Sequence, residues 1–184
     1  MSYQLKIKLQ DITPQIWRRV IVPAHFTLGE LHYVIQIAMG WEDAHLHEFV
    51  INRQRYRLPF DGELEDAVDE RTTQLRDVAR AGSKFTYYYD FGDFWIHLIH
   101  VEKAADDGAV EAPTCVDGAR ACPPEDSGGP WGYLEKVAAL SDPDDDDTEE
   151  LREWMGDFDP ESFDLASVNR ILRGVFRKTS KRKR

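Results

Sequence analysis

The chain has 184 residues, of which 42% are hydrophobic and 11% aromatic, with five tryptophans. That length suits one domain with its own core, and the apolar content excludes a disordered chain in spite of 31% charged residues. The net charge of −11 conceals an asymmetry, because Arg177, Lys178, Lys181, Arg182, Lys183 and Arg184 place six positive charges in the last eight residues and leave −17 on residues 1–176. An acidic body repels phosphate backbones, so a protein partner is expected for residues 1–176, and nucleic-acid contact is confined to a basic tail at 177–184 that is expected to be disordered. No apolar run approaches the roughly 18 residues of a membrane span and the N-terminus lacks a signal-like core, which gives a cytoplasmic expectation and no membrane. Cys115 and Cys122 are too few for a disulfide scaffold and are expected as free thiols, with metal ligation as the alternative.

Tyr3, Leu5, Ile7 and Leu9 alternate with Gln4, Lys6 and Lys8, the period-two pattern of a strand with one buried face. Turn chemistry at Asp11 to Pro14 leads to a second strand, Ile16 to Val22, closed by Pro23, so residues 3–22 are predicted to form a hairpin. Arg18 and Arg19 face opposite sides of that strand, and at least one should need a carboxylate partner. Thr27 and Glu30 form a capping box ahead of Leu28, Leu31, Ile35, Ala38 and Met39, a helix stopped by Gly40, with His32 expected as a hydrogen-bonded core histidine. Strands follow near 46–60, where His45 and His47 are expected on one strand face, a pair that could chelate zinc or copper but is not a site by itself.

Residues 61–74 are polar and acidic, an expected exposed loop, and Leu75, Val78 and Ala79 give a short helical turn stopped by Gly82. A second hairpin, near 84–102, carries alternating runs Phe85 to Tyr89 and Phe94 to Ile99 around Asp90-Phe91-Gly92-Asp93, with Gly92 expected at positive φ. A surface connection is expected at 104–113, and the Gly- and Pro-rich stretch 115–133 is expected to be a long loop without regular structure. Helices are predicted near 133–140, 149–155 and 165–176, the last capped by Asp164, and seven acids between Asp142 and Glu150 form a solvated linker. The expected fold is a single α+β domain over 1–176, with a mixed or mainly antiparallel sheet and flanking helices.

Familiar enzyme signatures are absent. Asp90-Phe91-Gly92 has no accompanying Gly-rich loop, strand lysine or His-Arg-Asp loop, and there is no Walker lysine, His-Glu-x-x-His helix or Gly-x-Ser-x-Gly elbow. What remains is a cluster of Asp90, Asp93, His97, Glu102, Glu125 and Asp126, with His45, His47 and His97 as candidate metal ligands. Carboxylates and imidazoles gathered by a hairpin and a loop would hold a divalent ion that activates water, the chemistry of a metal-dependent hydrolase. The structural alternative is that the turn aspartates bond backbone N–H groups, that His97 pairs with a buried acid, and that Glu125 and Asp126 answer Arg18 or Arg19. The preferred reading of the sequence is a binding or accessory module that uses aromatic faces from Tyr87, Tyr88, Tyr89, Phe94 and Trp95, with the metal-dependent hydrolase as the alternative.

Ile16-Trp17-Arg18-Arg19, Leu31-His32 with Gly40-Trp41, His45-Leu46-His47-x-Phe49, Tyr89-Asp90-Phe91-Gly92-Asp93-x-Trp95-x-His97 with Glu102, and Cys122-Pro123-Pro124-Glu125-Asp126-x-Gly128-Gly129 with Gly132-Tyr133 appear in unbroken order. This series resembles the plasmid pRiA-type open-reading-frame-three-like family, also labelled insertion-element passenger proteins of TnpR type. The resemblance implies an α+β domain, often encoded on plasmids or mobile elements, without an established activity. The TnpR label suggests a resolvase, but the chain holds no serine-recombinase pattern. Members often carry a further cysteine after Pro-Pro-Glu-Asp where this chain has Ser127, which puts a three-cysteine metal site in doubt.

Overall fold

Strand β1 (Ser2–Leu9) pairs antiparallel with β2 (Trp17–Pro23) in the predicted N-terminal hairpin. The computed structural model describes residues 1–59, 63, 66–105, 110, 112–141 and 148–182, the side chains of 148–150 and 177–182 excepted. The linker core 142–147, residues 106–109 and the tail side chains of Arg177, Lys178, Lys181 and Arg182 therefore lie outside the described residues, as do Lys183 and Arg184.

Helix α1 (Leu28–Met39) starts and stops where its caps dictate. The Thr27 hydroxyl accepts from the Glu30 N–H at 3.1 Å, the Glu30 carboxylate accepts from the Thr27 N–H at 2.9 Å, and Gly40 ends the helix at φ 114°. The chain continues through β3 (His47–Ile51), β4 (Gln54–Arg57), β5 (Ala67–Asp69), α2 (Leu75–Val78), β6 (Lys84–Tyr89) and β7 (Trp95–Ala105). It closes with β8 (Thr114–Ala119), α3 (Gly129–Ser141), α4 (Thr148–Met155) and α5 (Leu165–Arg182). These make one α+β domain with an eight-stranded sheet in the order β5-β4-β3-β6-β7-β1-β2-β8, antiparallel throughout except for the β4–β5 pair.

Alternating burial along β1, β2, β6 and β7 gives the sheet one closed and one open face. Leu5, Ile7, Val20, Phe49, Tyr87, Trp95 and Ile99 join Leu28, Leu31 and Ile35 of α1 and Leu172 and Phe176 of α5 in one core. No described helix is long and apolar enough to cross a membrane.

Two strands lie in stretches expected to be loops. Strand β8 carries turn-like Asp117 and Gly118, yet it pairs with β2, and Asn169 of α5 clamps it by accepting from the Cys115 N–H at 2.9 Å and donating to the Cys115 carbonyl at 2.7 Å. A side chain thus supplies hydrogen bonds that this edge strand cannot find on its outer side. Strand β5 is held by parallel pairing to β4 within the polar stretch 61–74. Helix α3 begins at Gly129 and Pro130, ahead of the predicted Tyr133, and the α5 backbone runs past Phe176 to Arg182.

The arginine pair divides unequally. Arg19 meets Glu102 at 2.8 Å and Asp117 at 3.0 Å. Arg18 is buried with no carboxylate, and its guanidinium donates to the carbonyls of Ala38, Met39, Trp17 and Ala119 at 2.7–3.3 Å. Ala38 and Met39 end α1, so the cation caps the negative end of the helix dipole. The expectation that Glu125 and Asp126 answer these arginines is thereby overturned.

Candidate metal centre

The β6–β7 turn and the Pro-Pro-Glu-Asp loop touch. Asp93 Oδ2 accepts from the Gly128 N–H at 2.8 Å, and a Cβ on Gly129 (φ +69°) would stand 2.5 Å from the Asp93 carbonyl oxygen, so only glycine permits the approach. Within the turn, Asp90 (φ 58°) and Phe94 (φ 59°) take the left-handed conformation expected of Gly92, which is not among the positive-φ residues. Gly92 contributes in another way. Its N–H donates to Asp90 Oδ1 at 2.8 Å, and a Cβ there would stand 3.2 Å from the same oxygen. That bond leaves Asp90 Oδ2 facing the loop that carries His45.

His45 lies ahead of β3 and shares no strand face with His47. Its Nε2 is 3.3 Å from Asp126 Oδ1, 3.7 Å from Asp90 Oδ2 and 3.8 Å from Glu125 Oε2. His45 Nε2 and Glu125 Oε2 are both buried atoms without a hydrogen-bond partner. Tetrahedral coordination with bonds of about 2.0–2.2 Å sets ligand atoms about 3.3–3.6 Å apart. The spacing around His45 Nε2 is thus close to that of a coordination shell and too wide for hydrogen bonds to Asp90 and Glu125. Ligand atoms of His45, Asp90 and Asp126 all lie within 4.8 Å of one another.

Glu125 is oriented from the opposite side. Its Oε1 accepts from the Tyr89 hydroxyl at 2.8 Å and the Glu42 N–H at 2.8 Å, while Tyr89 accepts from the Ala44 N–H at 3.0 Å. Burial, reinforced by the Glu125 carboxylate, raises the Tyr89 pKa, so the phenol stays protonated and donating. A closed circuit pins the loop that carries His45. Gln36 donates to Tyr87 (2.9 Å), Tyr87 to His32 Nδ1 (2.8 Å), His32 Nε2–H to Asp43 (2.9 Å), and the Asp43 N–H to Gln36 Oε1 (2.8 Å). Sequence reasoning missed Tyr89, Asp43 and Gln36 in these roles. The only local signal was the position of Tyr89 beside Asp90.

Three candidates leave the site. His97 is fully buried, and because the Trp41 indole N–H donates to its Nε2 at 3.0 Å, its proton sits on Nδ1, facing the Tyr87 carbonyl at 3.3 Å. Burial lowers its pKa to about 4, so it is a neutral core histidine paired with an indole and a carbonyl, neither an acid's partner nor a ligand. Glu102 serves Arg19 and Gln4 (2.6 Å), and those bonds, led by Arg19, hold its carboxyl at about 2. His47 is spent on buried Glu70 at 2.9 and 3.0 Å and stacks on His32 at 3.6 Å between ring centroids.

His32, Asp43 and His47 also lie close enough to suggest a metal group. Their rings, however, are 8° from parallel, and lone pairs in two stacked planes cannot meet at one ion. His32 is the hydrogen-bonded core histidine expected, held by burial at a pKa of about 3. Cys115 and Cys122 are free, burial raises both thiols, and neither joins a metal group among the described residues. Ser127, buried, donates its hydroxyl to the Pro124 carbonyl and shapes the loop.

Known proteins share this scaffold. An uncharacterized protein of Sinorhizobium fredii, y4hQ, is 36% identical over 185 residues, covering 98% of this chain and 95% of that protein. The crystal structure of MM3350, a protein of unknown function from Methanosarcina mazei Go1, matches with a TM-score of 0.79 and 40% identity over 89% of this chain and 95% of that one. The family described as plasmid pRiA4b ORF-3-like protein matches residues 1–167, and this chain belongs to it.

Proposed function

We propose that the protein binds a divalent metal ion through His45, Asp90 and Asp126, with Glu125 completing the shell, and that the centre acts as a metal-dependent hydrolase. The observation that carries this reading is the pair of orphaned buried atoms, His45 Nε2 and Glu125 Oε2, turned toward each other at 3.8 Å. Burying a polar atom without a partner costs about 1–3 kcal/mol, which an ion between the two would offset. One imidazole and three carboxylates suit zinc, manganese or iron, and no thiolate is needed. Asp126 is 77% exposed, so an ion of higher coordination number, such as manganese or iron, would keep a position for water beside these four ligands on the solvent side.

Such an ion would polarise a bound water and lower its pKa. The chain's own part is orientation. Tyr89 and the Glu42 N–H hold Glu125, and the Gly92 N–H holds Asp90. The test is metal analysis and calorimetric titration of the metal-stripped full chain with Zn²⁺ and Mn²⁺, followed by assays on phosphoester and carboxyester substrates. One ion per chain is expected, lost in His45→Ala and Asp90→Asn but kept in His97→Gln. A wild-type chain that takes up neither ion would end the proposal.

A second reading, an accessory module that binds a protein, is favoured by a different feature. Leu46 and Phe91, which follow His45 and Asp90 in the chain, are exposed large apolar side chains, as are Phe94 and Trp131, the last 78% exposed. If that reading holds, polar replacement of Phe91 and Trp131 abolishes partner capture while leaving metal content unchanged.

A further inference from the structure

The open face of the sheet runs against the chain's overall charge. Residues 1–176 carry −17, yet three lysines gather on this face around a depression of about 530 Å³. Lys6 of β1 stands opposite His100 of β7, which stands opposite Lys84 of β6, so one cross-strand row reads Lys84–His100–Lys6. The next row places Lys8 beside Leu98. Neighbouring strands lie about 4.8 Å apart, so the Lys6 and Lys84 backbones are about 10 Å apart and their flexible amines can converge on one ligand.

The one carboxylate in the lining, Glu102, has both its oxygens engaged by Arg19 and one also by Gln4, so Lys6, whose Nζ lies 4.7 Å over the Trp17 ring, acts on it only through space. No described carboxylate lies within salt-bridge distance of Lys6, Lys8 or Lys84. An acidic chain that gathers three lysines without a direct ion pair in one depression lined by a single carboxylate has the electrostatic form of an anion site.

We infer that this depression binds a nucleoside diphosphate or a mononucleotide of similar size, with the phosphates on Lys6, Lys8 and Lys84 and the nucleoside against Leu98. The volume falls within the roughly 300–1,000 Å³ of small-molecule sites and exceeds what a bare diphosphate fills. The basic patch is local and the surrounding chain acidic, which favours a compact polyanion over a long nucleic acid that would run onto repulsive surface. The site is separate from the proposed metal centre, since Lys84 and Asp90 stand at opposite ends of β6, about 20 Å apart at strand rise.

Calorimetric titration of the full chain at low salt with ADP, inorganic pyrophosphate and a long single-stranded oligonucleotide tests it. ADP is expected to bind more tightly than pyrophosphate, to weaken as salt rises, and to lose about tenfold or more in affinity in the Lys6→Gln/Lys84→Gln double variant. That variant should melt close to the parent, because both lysines stand on the open face and neither holds a direct ion pair. Pyrophosphate binding as tightly as ADP would overturn the nucleoside contact, and tighter binding of the oligonucleotide would overturn the compact ligand. No binding of ADP, or binding untouched by the double variant, would overturn the site.

Discussion

Replacing Gly129 with alanine tests whether the contact between the β6–β7 turn and the Pro-Pro-Glu-Asp loop assembles the metal centre. At φ +69° an alanine pays about 1–2 kcal/mol for the left-handed conformation alone. Its Cβ would also stand 2.5 Å from the Asp93 carbonyl oxygen, where ordinary contact begins at 3.4 Å, so two backbone segments must separate by nearly an ångström. That separation breaks the bond from the Gly128 N–H to Asp93 Oδ2, worth about 1.5–3 kcal/mol for a charged acceptor. The expected loss is about 3–5 kcal/mol, or roughly 6–20 °C in Tm for a chain of this size.

Gly82→Ala and Gly156→Ala are the controls. Both glycines have positive φ, at +86° and +55°, but nothing lies within 4 Å of an added Cβ, so each should lose only about 1–2 kcal/mol. Differential scanning calorimetry measures the three losses, and zinc titration compares the folded variants. A Gly129→Ala protein that melts with the controls, or that melts lower but keeps parental zinc affinity, would refute the reasoning.

Two further outcomes follow from the buried groups. His97 and His32 are held at about 4 and about 3 against an unfolded value near 6.5, so the unfolded chain binds more protons between these limits. Their contribution is complete above about pH 6.5 and falls with pH toward 4, by up to about 1.4 kcal/mol per pH unit for each, as urea unfolding across that window will measure. A His97 ring resonance that titrates near 6.5 would contradict this. Arg18→Met removes the donors to four carbonyls, two of them at the end of α1, and should cost about 3 kcal/mol in urea unfolding, with Arg18→Lys intermediate. Parental stability in the methionine variant would show that those carbonyls are served otherwise.

What the sequence determined by itself was local. The capping box at Thr27 and Glu30, the glycine stop at Gly40 and the alternation along β1, β2, β6 and β7 are written in near neighbours, and the helices and hairpins formed where these signals stand. The pairing of the Asp90 turn with the Glu125 loop was legible only as two polar segments of special composition. Tertiary structure decided which of their residues meet. Alternation puts His97 on one face of β7 and Glu102 on the other, but which face meets α1 and which meets Arg19 depends on sheet order and a register shift between Gln4 and Leu5. His45 and His47 differ in fate because β3 begins between them, sending one into the core and leaving the other at a loop junction fixed by Gln36, Tyr87, His32 and Asp43. The open face tells the same lesson for charge: its three lysines are far apart in the chain or alternate with apolar residues, and only cross-strand pairing gathers them, because register is a property of the folded sheet.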